Sequence, residues 1–247
     1  MIGIVGGIGS YAGIDLMKKI CDHSGARTDQ EHLPMALISV PHKVQDRTRY
    51  LMKEIDENPG DAIAEIIASL FASGADVIGI PCNTAHAPPI FERIAQKLPQ
   101  GCQIVHLIHA VAKHITTEYP AVKRVGILAT NGTYYFNVYP DVLSAYGLNV
   151  IQPSEEVQLR QVHPSIYDPE YGIKSISNPV TPEAKKTLLA AVAHLKERGA
   201  EAIVLGCTEI PLALTVDTAH GCILIDATAV LAKALIRTYH AKHAAQH

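Results

Sequence analysis

The stretch from Gly74 to His86, GADVIGIPCNTAH, recurs in an altered copy, GAEAIVLGCTEIP, from Gly199 to Pro211. In each copy, a Gly that can end a helix precedes Ala, an acidic residue and an apolar run typical of a buried strand. A Cys then follows that Gly at the same offset of eight residues, Cys82 in the first copy and Cys207 in the second. The recurrence indicates two similar halves.

The repeat also includes the beginning of each half. MIGIVGG opens the chain and RVGILATNGT begins at Arg124, and both are typical of a strand followed by a loop of small residues. Gly3 lies 79 residues before the first repeated Cys, and Gly126 lies 81 residues before the second. The similar spacing indicates that the whole half is repeated, and not the Cys motif alone.

Apolar strand-like runs alternate with amphipathic helical runs along the chain, a pattern that predicts parallel sheets covered by helices. We therefore predict an α/β fold of two pseudo-symmetric doubly wound lobes, each with a mainly parallel sheet flanked by helices. Ligands of such sheets bind beyond the carboxyl ends of the strands, so we expect the site in a cleft between the lobes. The expected boundaries are 1–113 plus 222–247 for the N-terminal lobe and 114–221 for the second lobe.

Composition excludes several classes of function. The 247 residues carry a net charge of −3 and no basic run, which argues against a nucleic-acid partner. Neither a membrane span nor a signal peptide is recognisable, so we expect a cytoplasmic protein. The five Cys residues show no CxxC spacing, which argues against disulfides and a zinc site. The His-containing tail HAKHAAQH is assigned no metal or other role.

The loop GGIGS and its surroundings match a relaxed dinucleotide-binding pattern, but no acidic residue ends the second strand to hold a ribose. No phosphate-binding GxxxxGK[ST] motif is present either. We therefore predict no nucleotide cofactor, and we interpret the loop as one that lets a small ligand approach the backbone.

Two of the five cysteines are candidates for chemistry. A buried Cys is most often a small inert apolar residue, and this interpretation suits Cys21, Cys102 and Cys222. Cys82 and Cys207 instead lie between a strand end and polar residues that can open a helix. Backbone N–H groups and the positive end of a helix lower a thiol pKa and bind an anion, so thiolate chemistry is expected there.

Other polar residues near these cysteines have plainer interpretations. His86 is four residues after Cys82, a spacing that on a helix suits a metal site or a Cys-His nucleophile pair, but two prolines follow closely. We therefore interpret His86 as a structural hydrogen-bonding residue or as a supporting partner of Cys82. Arg47 and Arg49 lie in a polar loop after the second strand, Arg47 at the sheet edge of Cys82 and Arg49 as a solvated charge. Lys174 precedes the helix that leads to the second Cys copy.

The segments GGIGS, DRT, PCNTAH, ATNGT, YGIK and GCTEIPLAL, in this order, resemble the aspartate/glutamate racemase family over nearly the whole chain. The resemblance implies a racemase without pyridoxal phosphate, metal or other cofactor, and family members are often homodimers. In such an enzyme, a thiolate removes the Cα proton on one face while a thiol returns a proton to the other.

Carried over by position, the resemblance implies roles for nine residues. Cys82 and Cys207 match the two acid-base cysteines, one from each lobe. Residues of two further groups match positions that hold the α-carboxylate or the distal carboxylate of the substrate. The α-carboxylate group is Asn83, Thr84, Thr130, Thr133 and Thr208, and the distal group, found in aspartate-acting members, is Arg47 and Lys174.

The chain departs from the family after GGxG, where Ser10, Tyr11, Ala12 and Gly13 replace the commoner Pro and Glu-Ala-Thr-like run. This difference affects the expected pocket for the substrate side chain and leaves the two cysteines unchanged. We predict a racemase that prefers aspartate over glutamate, with a broad-specificity amino-acid racemase or a Cys-dependent dicarboxylate isomerase as alternatives. A non-catalytic dicarboxylate-binding module is the alternative outside enzymes.

Overall fold

The computed structural model describes residues 1–244, and these residues form two compact units. Unit 1 contains Met1–Ala110 and the chain from Thr228 onwards, whereas unit 2 is the intervening segment Val111–Ala227. Each unit contains a sheet with helices packed against it, as predicted. The predicted α/β fold with two mainly parallel sheets is confirmed.

Unit 1 is built on a four-stranded sheet in the order β2-β1-β3-β4, in which every neighbouring pair is parallel. The two central strands, Ile2–Gly6 and Val77–Gly79, are fully buried, which explains their uninterrupted apolar sequences. Its strands are β1 (Ile2–Gly6), β2 (Met35–Ser39), β3 (Val77–Gly79) and β4 (Gln103–Val105). Its helices are α1 (Ser10–His23), α2 (Arg47–Leu51), α3 (Pro59–Ala72), α4 (Pro88–Ala95) and the first residues of α5 (Leu107–Glu118).

The helix α3 illustrates how sequence signals place an element in unit 1. Asn58 caps it by accepting a hydrogen bond from the Gly60 N–H, and Pro59 occupies the first turn, a pair typical of a helix start. Ile63, Ile67 and Leu70 are fully buried along one face. The helix thus lies on the sheet through the stripe that its sequence indicates.

Unit 2 contains a five-stranded sheet in the order β6-β5-β7-β9-β8, parallel except for the antiparallel edge pair β8–β9. Its strands are β5 (Arg124–Leu128), β6 (Asn149–Ile151), β7 (Ala202–Leu205), β8 (Thr218–Ala219) and β9 (Cys222–Asp226). Its helices are α6 (Asn131–Tyr135), α7 (Val138–Ala145), α8 (Glu155–Val157), α9 (His163–Tyr167), α10 (Pro182–Glu197) and α11 (Ile210–Ala213). A π-helical turn, Gln158–Val162, joins α8 to α9.

The predicted boundary near residue 222 is wrong. We placed residues 222–247 in the N-terminal lobe, but β9 pairs with β7 and therefore belongs to unit 2. The chain returns to unit 1 with α12 (Ala227–His243), where Leu235 packs against Gly79 of β3. A Cβ on Gly79 would lie 2.6 Å from the Leu235 Cδ1 atom, so any other residue there would require the Leu235 side chain to shift.

The segment after β2 also differs from the expectation of a plain polar loop. Asp46 caps a short helix, α2, by accepting a hydrogen bond from the Arg49 N–H at 2.9 Å, and Arg47 is the first helical residue. The Arg49 side chain is exposed and pairs with Glu54, in agreement with its interpretation as a surface charge.

Within the described chain, no helix combines the length and the hydropathy that a membrane crossing requires.

Candidate functional site

The candidate residues of each unit gather at one edge of its sheet. In unit 1, β3 ends at Gly79, three residues before Cys82, and the parallel neighbour β1 ends at Gly6, at the start of GGIGS. In unit 2, β7 ends at Leu205, two residues before Cys207. Its parallel neighbour β5 ends at Leu128, which pairs with Leu205. The ATNGT loop that follows β5 therefore lies at the same edge. This edge is where doubly wound sheets bind ligands.

Cys82 lies in a tight turn after β3 and its side chain is buried, with 7% exposure for the residue. Its backbone N–H bonds to the Ile80 carbonyl at 2.8 Å, and its own carbonyl accepts a hydrogen bond from His86 Nδ1 at 2.9 Å. Because a carbonyl oxygen can only accept, Nδ1 of His86 carries the proton. Asn83 and Thr84, which follow the Cys, are also buried.

His86 is a neutral structural group at physiological pH. Burial lowers its pKa from 6.5 to about 4, against the smaller opposite effect of the Cys82 carbonyl. Its ring stacks on Phe91 and meets the edge of His106, at centroid distances of 5.4 and 4.7 Å. The predicted role of His86 as a hydrogen-bonding partner within the Cys82 turn is confirmed.

Arg47 is tied to the glycine-rich loop of unit 1. Its guanidinium donates to the main-chain carbonyls of Gln45 at 3.1 Å and Ile8 at 3.2 Å, and the residue is only 8% exposed. Arg47 therefore brings a buried positive charge to the sheet edge where Cys82 lies. The bond to Ile8 also fixes the loop that follows β1.

Cys207 is held as a protonated thiol. The residue is 5% exposed, and its Sγ donates a hydrogen bond to Glu209 Oε2 at 3.0 Å. Burial first, and the adjacent Glu209 carboxylate second, raise the pKa of the thiol well above 9. Gly206, the preceding residue, bonds to the Leu128 carbonyl at 2.7 Å and so ties this turn to the end of β5.

Glu209 links Lys174 to Cys207. The Lys174 ammonium group pairs with Glu209 Oε1, while the other carboxylate oxygen of Glu209 accepts from the Cys207 thiol. The Glu209 side chain is 4% exposed and that of Lys174 is 22% exposed. The Lys174 Nζ atom also lies 5.6 Å from the ring centroid of Tyr167, and this ring stacks on His163 at 4.8 Å.

The ATNGT loop is positioned by a buried glutamine. Thr130 and Thr133 are buried, and their hydroxyl groups lie 3.4 Å apart. Gln158, the first residue of the π-helical turn, donates through Nε2 to the Ala129 carbonyl at 3.0 Å and to Asn131 Oδ1 at 2.9 Å. Since both partners are acceptors, they fix the orientation of the Gln158 amide.

The structure thus groups the predicted residues within each unit. In unit 1, Cys82, Asn83 and Thr84 lie in one turn, and Arg47 is bonded to the loop after the neighbouring strand. In unit 2, the residues brought to one sheet edge are Thr130, Thr133, Lys174, Cys207 and Thr208.

Two residues that the sequence did not assign prove central to unit 2. Glu209 was visible only as a polar residue after Cys207, and its pairing with Lys174 joins positions 35 residues apart. Gln158 lies in a π-helical turn that no periodicity announces. Among the residues that the structure describes, no group of three or more His, Cys, Asp or Glu side chains could hold a metal ion.

The sequence of the chain was compared with models of known protein families. The model of the Asp/Glu/Hydantoin racemase family matches residues 5–235. The chain belongs to that family. This finding confirms the predicted family and the class of enzyme, an isomerase of the racemase type.

Individual relatives match over almost the full chain. The broad specificity amino-acid racemase RacX of Bacillus subtilis is 29% identical over 97% of this chain and 98% of the relative. The solved structure of an aspartate racemase from Picrophilus torridus is 26% identical, has a TM-score of 0.78, and covers 96% of this chain and 93% of its own. A glutamate racemase structure from Francisella tularensis shares the fold, with a TM-score of 0.67 at 15% identity over 98% and 81% of the two chains.

Proposed function

We propose that this member of the racemase family is a cofactor-independent amino-acid racemase that moves the Cα proton with Cys82 and Cys207. The observation that carries the proposal is the repeated placement of a buried Cys just beyond the end of a central parallel strand, once in each unit. Family membership supports the reaction type. The proposal requires that both thiols reach one substrate Cα, from opposite faces.

The proposed reaction balances as two proton transfers. A thiolate takes the Cα proton, so that the C–H electron pair remains on a carbanion and an S–H bond forms. The thiol on the other face then gives its proton to the same carbon, which inverts the configuration and leaves a new thiolate. The two cysteines exchange roles when the other enantiomer reacts.

The environment of Cys207 suits the acid role first. Its raised pKa keeps the thiol protonated at neutral pH, ready to supply the proton. For the opposite direction this thiol must lose its proton, and Glu209 Oε2 is the carboxylate oxygen that already accepts its hydrogen bond. Glu209 therefore joins the two cysteines as a third acid-base group in the proposal.

Stabilisation of the carbanion falls to hydrogen-bond donors on the substrate carboxylate. Buried donors placed where charge develops contribute about 3 kcal/mol each when they act on an oxyanion. The proposed donors are the side chains of Asn83, Thr84, Thr130, Thr133 and Thr208, all of which are buried.

Two substrate ranges are candidates. Arg47 and Lys174, matched to distal-carboxylate positions, motivate the predicted preference for aspartate over glutamate. A broad range is favoured by the pairing of Lys174 with Glu209, because that charge is already compensated inside unit 2. A homodimer and a cytoplasmic location remain predictions.

The decisive experiment follows both exchange and inversion. In heavy water, wild-type protein without pyridoxal phosphate should place deuterium at Cα of a racemised amino acid, and chiral chromatography should detect the other enantiomer. Cys82→Ala and Cys207→Ala should each lower racemisation by at least about 10³-fold, since each removes one of the two acid-base groups. Cys102→Ala, at a cysteine outside the proposed site, is the matched control.

The possible outcomes separate the alternatives. Full racemisation by either single mutant would contradict the two-cysteine mechanism. Exchange with no amino acid, but turnover of an unsaturated dicarboxylate, would identify an isomerase of the Cys-adduct type. Calorimetric binding of aspartate without any turnover would identify a binding module.

A further inference from the structure

We propose that Glu209 sets the side-chain selectivity of this racemase by neutralising Lys174, so that Lys174 gives acidic side chains no advantage over uncharged ones. This inference rests on the proposed function, since it concerns the substrate range of the same site. It assigns to Glu209 a specificity role that is separable from its contact with the Cys207 thiol.

The contacts of Glu209 define a three-member chain, Lys174–Glu209–Cys207. One carboxylate oxygen pairs with the Lys174 ammonium and the other accepts from the Cys207 Sγ at 3.0 Å. The Thr208 hydroxyl lies 3.4 Å from the same second oxygen. A carboxylate that is 96% buried, judged by the 4% exposure of its side chain, stays ionised only with such partners.

A substrate carboxylate that approaches Lys174 must therefore meet a fixed carboxylate one hydrogen bond away. Attraction to the ammonium group and repulsion by Glu209 act over similar short distances, so the two effects largely cancel. An amide or apolar side chain experiences neither effect strongly. The pair thus removes the advantage that a lone lysine would give to aspartate.

The surroundings of Lys174 suit a neutral side chain. Its ammonium group lies over the Tyr167 ring, 5.6 Å from the ring centroid, and this ring stacks on His163 at 4.8 Å. Aromatic groups contact apolar and amide groups without demanding a charge. The Lys174 region therefore combines a compensated charge with aromatic side chains.

Aspartate and asparagine are the appropriate probes, because they have almost the same shape and differ in charge. The quantity to measure is the ratio of kcat/KM for aspartate to kcat/KM for asparagine. A general loss of catalysis cancels in this ratio. The charge of Arg47 contributes equally to the ratio of every variant, because no variant alters Arg47, so the wild-type ratio is the reference for each comparison.

The variants form a charge cycle. Glu209→Gln leaves Lys174 uncompensated and should raise the ratio about tenfold or more, whereas Lys174→Met leaves Glu209 uncompensated and should lower it by a similar factor. The double variant should return to within about threefold of the wild-type ratio. Glu201→Gln makes the same substitution at the other edge of the unit 2 sheet, beside Arg124, and should leave the ratio unchanged.

Failure of this inference differs from failure of the proposed function. If the wild type racemises neither amino acid nor any other, the proposed function fails. If it racemises amino acids but Glu209→Gln and Lys174→Met both leave the ratio within twofold, the selectivity role is wrong and the racemase remains. Where a variant turns over too slowly, the ratio of calorimetric dissociation constants for the two amino acids replaces the kinetic ratio. The same shifts are expected in this ratio. A ratio of dissociation constants that equals the wild-type ratio in both single variants would overturn the inference.

Discussion

At the residue scale, the two cysteines occupy equivalent positions but different surroundings. Cys82 lies in a turn closed by a neutral histidine, whereas Cys207 donates to a buried carboxylate that is itself paired with a lysine. The repeat predicted both positions because each Cys follows a strand at a fixed offset from a helix-ending Gly. The difference between them was not predictable, since Lys174 and Glu209 meet only through the tertiary fold.

Glu209 should govern the ionisation of Cys207. Its negative charge and its hydrogen bond both raise the thiol pKa, while Lys174 lowers it. Glu209→Gln should therefore move the alkylation of Cys207 to lower pH, because only the thiolate reacts with iodoacetamide. Peptide mass spectrometry across pH 6 to about 10 measures the effect for each cysteine separately.

A second buried cysteine provides the control for this experiment. Cys102, a buried thiol of the other unit, should keep its alkylation profile in the same samples. A Cys207 profile that stays in place would show that burial alone determines the state of this thiol, and a profile that moves to higher pH would show that Glu209 lowers the thiol pKa. Either result contradicts the prediction.

At the scale of elements, the helices that pack on the sheets have readable ends. Asn58 caps α3 and Thr181 caps α10, and in each case the capping residue precedes a Pro, the sequence pattern typical of a helix start. Two short elements of unit 2 carry no such signal. Strand β6 has three residues and the turn at Gln158 is π-helical, so neither produces a periodic apolar pattern of useful length.

Thr181 offers a direct test of one such end. Its hydroxyl accepts from the Ala184 N–H at 3.2 Å and donates to the Tyr171 carbonyl at 2.7 Å, which joins the start of α10 to the preceding loop. Thr181→Ala should lower the free energy of unfolding by about 1 to 2 kcal/mol. Urea denaturation followed by circular dichroism measures this change.

Thr181→Ser keeps the hydroxyl and should recover most of the loss. If the Ala and Ser variants are equally destabilised, the lost methyl group, rather than the cap, explains the effect. The helix α10 packs on the sheet of unit 2 through Leu188, Val192 and Leu195, and neither substitution changes this packing. The surface exposed on unfolding, and with it the m-value, should therefore match that of the wild type in both variants.

At the scale of the whole molecule, the chain leaves unit 1 and returns to it at its end. The two-unit organisation followed from the repeat, but the point of return did not. Strand β9 and helix α12 are joined without a loop at Ala227, so no turn signal marks the change of unit. The return depends on packing, with Leu235 of α12 against the bare backbone of Gly79.

Charge fixes the far end of α12 to the same unit. Asp76 accepts from the Met1 ammonium at 3.0 Å, and its carboxylate lies 3.2 Å from Lys242 Nζ and 3.1 Å from His243 Nε2. Burial alone would raise the Asp76 pKa, but the hydrogen bonds from Met1 and Lys242 outweigh it and lower the pKa from 3.8 to about 2. A carboxyl group with a lowered folded-state pKa contributes stability above its unfolded pKa and loses it as the pH falls.

Asp76→Asn should therefore cost about 2 kcal/mol of the free energy of unfolding at pH 7, from about 1.4 kcal/mol per pH unit of lowering. The cost should shrink as the pH falls from about 4 towards 2, where the wild-type carboxyl becomes protonated in the folded state too. Urea denaturation at pH 7, 5, 4 and about 3 follows this convergence. Asp217→Asn, at an exposed residue of unit 2, controls for the change in net charge. A deficit that stays constant down to pH 3 would assign the loss to altered packing, because only the ionised carboxylate can hold the end of α12 in a pH-dependent way.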